Sequence, residues 1–180
     1  ISMMMQKMVS ANSSFTYLAI PFFTCAGVVF GYSGISSRLM GLCEMLVGRL
    51  TGGMGQVNVL LSALMGGLSG SANADAALQS KMLVPQMEKL GYSRAWSCAV
   101  TAASSCITPI IPPGIILILY ASASNVSVES MFYAGYIPGI LITVTMMILT
   151  WWIAKKRNYK PSREKPVTAG ELGHALLDSI

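Results

Sequence analysis

Four long uncharged runs set the pattern of the chain: Met8–Ser37, Leu50–Ala74, Ala95–Val128 and Ser130–Ala154. Each exceeds the roughly 20 residues needed to cross a bilayer. Two of them are broken from within. The run from Leu50 contains the Gly/Ser/Asn cluster Gly66-Gly67-Leu68-Ser69-Gly70-Ser71-Ala72-Asn73 and closes against Asp75. The run from Ala95 contains Thr108-Pro109-Ile110-Ile111-Pro112-Pro113-Gly114, which cannot stay helical with three prolines.

The elements follow in order. Residues 1–13 (ISMMMQKMVSANS) read as a connector from a missing upstream segment, because residue 1 is Ile and no signal-peptide pattern precedes the first apolar run. Residues 14–31 read as a transmembrane helix, with Pro21 as a potential kink. Residues 36–51 carry Leu39, Leu42, Cys43, Leu46 and Val47 at helical spacing, interrupted by Arg38, Glu44 and Arg49. That pattern predicts an amphipathic helix lying at the interface. Met54 to Leu68 is apolar, but fifteen residues cover only roughly 22 Å, short of the roughly 30 Å hydrocarbon core. A second short helix, Ala76 to Glu88, follows the cluster. Together, residues 54–89 predict a re-entrant hairpin with its tip at 69–75. Residues 93–122 predict a broken transmembrane helix with its break at 106–114. Residues 130–154 predict a transmembrane helix, kinked at Pro138-Gly139 and ending at an interfacial Trp151-Trp152 pair. Residues 155–180 begin with a basic linker, Lys155 to Lys165, expected in the cytoplasm. The predicted fold class is thus an all-α polytopic membrane protein, with transmembrane helices, a re-entrant helical hairpin and a discontinuous helix.

Charge sharpens the layout. Only 11% of the 180 residues are charged, against 53% hydrophobic, whereas soluble domains carry about 25%. The net charge of +5 then reads as membrane orientation rather than nucleic-acid binding. With the linker inside, the hairpin opens inside, and of the 12 basic residues only Lys7 falls outside, leaving 11 inside. If the tip were a full crossing, Arg38 and Arg49 would lie opposite Lys81, Lys89 and Arg94. Cys25, Cys43, Cys98 and Cys106 form no CxxC pair, and the one His is His174, which excludes an ordinary zinc site. No second acidic residue lies in the apolar runs to pair with Asp75, which argues against an intramembrane enzyme.

The candidate chemistry lies at the two breaks. Half-helix N-termini suit an anion, and unwound carbonyls suit Na⁺ or H⁺. The hydroxyl and amide oxygens of Ser69, Ser71, Asn73 and Thr108 are hard ligands appropriate to Na⁺. Each has a structural alternative. Ser69, Ser71 and Asn73 are either site-lining or caps. Asp75 either contacts ion or substrate, or stabilises the second half-helix by about 0.3–1 kcal/mol. Ser104, Ser105 and Thr108 are either ion ligands or bonded back to their own helix. The glycines at 66, 67 and 70 either permit close packing or contact solute.

The sequence Ser69-Gly70-Ser71-Ala72-Asn73-Ala74-Asp75-Ala76-Ala77, then Pro85, Gly91-Tyr92, Ile111-Pro112-Pro113, Tyr120 and Ala134-Gly135-Tyr136-Ile137-Pro138-Gly139, resembles the large permease (M) subunit of tripartite ATP-independent periplasmic (TRAP) transporters over about residues 14 to 160. The resemblance implies most of the first of two inverted repeats of an elevator-type transporter, with residues 155–180 as the linker to a missing second repeat. It implies a Na⁺-coupled importer of a small organic acid (C4-dicarboxylate or sialic-acid type) in the bacterial inner membrane, with no enzymatic activity and no cofactor beyond Na⁺ as coupling ion. The implied partners are a small four-helix membrane (Q) subunit and a periplasmic substrate-binding protein (P subunit). The implied site is Ser69, Gly70, Ser71, Asn73 and Asp75 at the tip, with Thr108, Pro109, Pro112, Pro113 and Gly114 at the break. Asn73 and Gly114 depart from the small apolar residue and the Ser common at those places in the family. The competing expectation is a non-transporting membrane scaffold or assembly subunit whose breaks are packing kinks.

Overall fold

A computed structural model describes residues 2–12, 21, 22, 25, 26, 28, 29 and 33–162. The helix expected over 14–31 is described only at six positions, all helical, and the linker beyond Ser162 lies outside the described residues. The described elements are all helices: α1 Ser2–Asn12, α2 Ile35–Val47, α3 Gly53–Gly66, α4 Ala72–Met82, α5 Val84–Lys89, α6 Arg94–Ser105, α7 Ile115–Ser124 and α8 Val128–Lys156.

α3 is the central element. It packs on α2, α6 and α8, and 11 of its 14 residues are buried. A helix apolar all round is expected to be enclosed on every side, and Val57, Val59 and Leu61 accordingly have no exposed surface. α4 and α5 pack on α6. Hydrogen bonds from Ser62 to Asp75 and from Gln79 to Ser62 link α4 to α3. The helix expected as one piece over 76–88 is two, parted at Leu83, because Pro85 falls in the first turn of α5 and has no N–H to continue α4. α6 and α7 are parted by the non-helical stretch 106–114.

α8 is built the opposite way to α3. Its 29 residues span roughly 43 Å, long and apolar enough to cross a membrane, and they continue through Pro138 as one helix. Its buried positions are small: Gly135, Gly139, Thr143, Thr150 and Ala154. Its large apolar side chains, Ile137, Ile140, Leu141, Ile148 and Trp152 among them, face outward. Small residues toward protein and bulky apolar residues outward is the arrangement of a helix set against lipid.

Residues 157–162 run back from α8 across the ends of three other helices. Tyr159 stacks into a cluster with Tyr92 and Trp96. The Tyr92 hydroxyl donates to the Lys160 carbonyl at 2.7 Å, and burial pushes this phenol up to about 12, so it remains a donor at neutral pH. The Ser162 N–H donates to the Gly48 carbonyl at 2.9 Å, and its hydroxyl meets Glu44. The start of α3, the end of α5 and the end of α8 therefore share one end of the molecule, with Arg94, Lys155, Lys156, Arg157 and Lys160 around it.

Candidate functional site

The two breaks meet. At Gly70 the chain turns with φ +58°, a left-handed conformation that glycine adopts without strain. A methyl group there would stand 3.1 Å from both the Ile115 nitrogen and the Pro113 carbonyl oxygen. One turn back, a methyl on Gly66 would be 3.0 Å from the Thr108 carbonyl oxygen. On its other flank the proline break lies on α8, where a methyl at Gly135 would come within 2.9 Å of the Ile110 oxygen and one at Gly139 within 2.7 Å of Ile111. The unwound backbone is thus held between the hairpin tip and the small-residue face of α8.

Where tip and break meet on the outside, Gly70, Ser71, Ala72, Asn73, Ile115 and Ile116 line an open cleft of about 210 Å³. α4 starts at this cleft, with Ser71 as its N-cap accepting from the Ala74 N–H at 3.4 Å. α7 starts there too, with Gly114 as an N-cap that offers no side chain. The first N–H groups of a helix have no acceptor within it, so two positive dipole ends and their free donors face one space. No charged side chain lines it. The arrangement suits an anion.

Behind the cleft lies a second polar group of different character. The Asp75 carboxylate is only 1% exposed. Its Oδ2 accepts from Ser62 Oγ at 2.8 Å and Thr108 Oγ1 at 3.0 Å, and its Oδ1 accepts from Gln79 Nε2 at 2.7 Å. Gln79 Nε2 also donates to Ser62 Oγ at 2.7 Å. One carboxylate thereby joins α3, α4 and the break. Deeper still, Asn58 donates to Thr101 Oγ1 at 2.8 Å and accepts from Ser104 Oγ at 2.7 Å, tying α3 to α6.

The expected site residues divide between these surroundings. Gly70, Ser71 and Asn73 line the cleft. Asp75 and Thr108 turn inward to each other. Ser69 is buried between, its hydroxyl near the Met65 carbonyl and the Ser71 N–H. Pro112, Pro113 and Gly114 form the wall on which the tip rests, while the Pro109 carbonyl lies against Gly114 within the break. Ser104 and Ser105 bond back to the Thr101 carbonyl. Neutral hydroxyl and carbonyl oxygens at Ser69, Ser71 and the unwound segments have the chemistry to hold Na⁺, whereas the Thr108 hydroxyl is directed at Asp75 on the far side. Among the described residues no group of three or more His, Cys, Asp or Glu gathers to hold a metal ion. Ser62, Gln79, Asn58 and Thr101 were not anticipated. The one signal for them is spacing: Asn58–Ser62, Asp75–Gln79 and Ser97–Thr101–Ser105 each repeat at four residues, one face of a helix.

Comparison with known proteins agrees with the geometry. The family profile of the tripartite ATP-independent periplasmic transporter, DctM component, matches residues 1–180. The chain is similar to the 2,3-diketo-L-gulonate TRAP transporter large permease protein of Escherichia coli strain K12, with 37% identity over 180 residues, 100% of this chain and 42% of that protein. It is similar to the sialic acid TRAP transporter permease protein of Haemophilus influenzae strain 86-028NP, with 40% identity over 164 residues, 89% of this chain and 27% of that protein. It is also similar to the sialic acid TRAP transporter large permease protein of Vibrio cholerae strain N16961, with 38% identity over 154 residues, 86% of this chain and 36% of that protein. The chain therefore spans less than half the length of each.

Proposed function

Because the chain belongs to the DctM component family of tripartite ATP-independent periplasmic transporters, we propose that it forms one wall of the solute site in a Na⁺-coupled permease that imports a small organic acid. The observation that carries this reading is the cleft onto which α4 and α7 both open their N-termini. A carboxylate there accepts hydrogen bonds from backbone donors and lies at two positive dipole ends. Relatives named for sialic acid and for 2,3-diketo-L-gulonate agree with an acidic solute. Na⁺ would be held at the tip by Ser69 and Ser71 with neighbouring carbonyls, and when bound it supplies a positive charge beside the anion. Asn73 adds a neutral donor at the rim.

In this reading α3 with α4–α5 is a re-entrant hairpin in the bacterial inner membrane, open to the cytoplasm where the basic residues gather. The bulky outer face of α8 lies against lipid or the small four-helix subunit. The remainder of the transporter supplies the opposite wall, a periplasmic binding protein delivers the solute, and the walls move together as an elevator.

Uptake by the complete transporter in proteoliposomes tests this directly. A panel of carboxylates is presented with the cognate binding protein, with and without an inward Na⁺ gradient. Ser71→Ala is expected to lower Na⁺-dependent uptake several-fold while leaving insertion intact. Uptake that ignores both the Na⁺ gradient and this substitution would overturn the assignment.

A further inference from the structure

We propose that Ser62 and Gln79 are positioning residues that set the shape of the cleft by fixing Asp75, an inference that rests on the solute-site reading above. The carboxylate is the one group bonded to α3, α4 and the proline break at once. It lies one turn into α4, whose first turn opens on the cleft. Thr108 lies seven residues before Ile115, where α7 opens on the same cleft. Thr108 is also tied to α3 through the Ser62 carbonyl at 3.1 Å, so displacing the carboxylate shifts the N-terminus of α4 against that of α7.

Only neutral donors hold it. Its recorded partners are Ser62, Gln79 and Thr108, and the Arg94–Glu88 ion pair lies at the other end of the hairpin, so none of the groups bonded to the carboxylate is a cation. Both hydrogens of the Gln79 amide are engaged, one on Asp75 and one on Ser62. Ser62 in turn donates to Asp75. The three side chains form a closed triangle, so removing one corner leaves each of the other two short of one hydrogen bond. None of the three lines the cleft, so any effect they have on solute travels through the backbone they fix.

The test uses the complete transporter in lipid nanodiscs. Spin labels are placed at Asn73→Cys and Ile116→Cys, on the two sides of the cleft, in a background free of other cysteines. Their distance distribution is compared across variants, and carboxylate uptake is measured without labels in parallel. Gln79→Glu sets a second carboxylate against Asp75 and is expected to widen the distribution and lower uptake roughly tenfold. Ser62→Ala is expected to do the same more mildly, and it carries the test if Gln79→Glu fails to insert. The exchanged pair Asp75→Asn with Gln79→Glu keeps one amide and one carboxylate in place, and is expected to restore the narrow distribution and recover uptake. An unchanged distribution in both single variants, or an exchanged pair as broad as Gln79→Glu, would overturn the proposal. A parent transporter that takes up no carboxylate while its distances follow the triangle would strike the solute reading and leave the positioning role standing.

Discussion

Asn73 and Asp75 are two residues apart on α4 and live in opposite surroundings. Asn73 is exposed at the cleft, while Asp75 is enclosed and its carboxylate accepts three hydrogen bonds. Two residues along a helix turn the side chain by roughly 200°, so one polar tip supplies both a rim for solute and a lock for the fold. A count of polar residues in the tip treats them alike, whereas their energetics differ in kind. The rim leaves backbone donors without protein partners. The lock leaves almost none.

The largest test of that contrast is Asp75→Ala. It strips the acceptor from the Ser62 hydroxyl and one Gln79 N–H, while the Thr108 hydroxyl keeps the Ser62 carbonyl at 3.1 Å, and a buried donor left without a partner costs about 1–3 kcal/mol. Thermal unfolding of the purified transporter is expected to show a loss of about 2 kcal/mol or more, on that per-group cost, against less than about 0.5 kcal/mol for Asn73→Ala. Equal losses would erase the distinction between rim and lock.

Gly70→Ala probes the boundary between the two regions. Its φ of +58° strains any other residue by about 1–2 kcal/mol, and the added methyl meets the break 3.1 Å away. The expected outcome is a moderate stability loss together with weakened carboxylate uptake. A stability loss with unaltered uptake would detach the cleft from transport.

The smallest effect is one of labelling. A cysteine introduced as Asn73→Cys, with the cysteines at 25, 98 and 106 removed, is expected to react with a water-soluble maleimide, and faster from pH 7 to 9 as its thiolate fraction grows. Native Cys43 in the same protein is expected to stay unreactive across that range. Burial pushes its thiol up to about 12, so the thiolate forms only above the range tested. Labelling of Cys43 at the rate of position 73 would contradict the packing of α2 on α3.

Much of this was legible in the residues. The glycines and serines at 66–71 and the prolines at 109–113 marked both breaks, because no helix tolerates them and no apolar run explains them. That the two breaks share one site was implied by the family resemblance, and Gly70 lies against Pro113 and Ile115. The inward turn of Asp75 was not legible. The spacing to Gln79 placed both on one face of α4, but which face meets α3 depends on the register of the hairpin, which no local pattern encodes. Ser62, Asn58 and Thr101 were hidden for a related reason. A neutral hydroxyl or amide in an apolar run reads the same whether it bonds back to its own helix, as Ser105 does, or across to another, as Ser104 does. The division at Leu83 followed from Pro85 and was readable as weakness, though not as a separate helix.

The strap from Arg157 to Ser162 bears on the order in which the molecule is made. Of the main packing partners of α3, only α2 is synthesised before it; α6 and α8 follow. Gly48 and Glu44 find Ser162 across a separation of 118 residues in the longer case. The polar positions of α3 meet their partners in turn as the chain grows: Ser62 at Asp75, Gln79 and Thr108, Asn58 at Thr101 and Ser104, and Gln56 at the Met147 carbonyl of α8. The hairpin is therefore an early product of translation and a late product of assembly: Gln56 waits for α8, and the end of α2 waits for the strap.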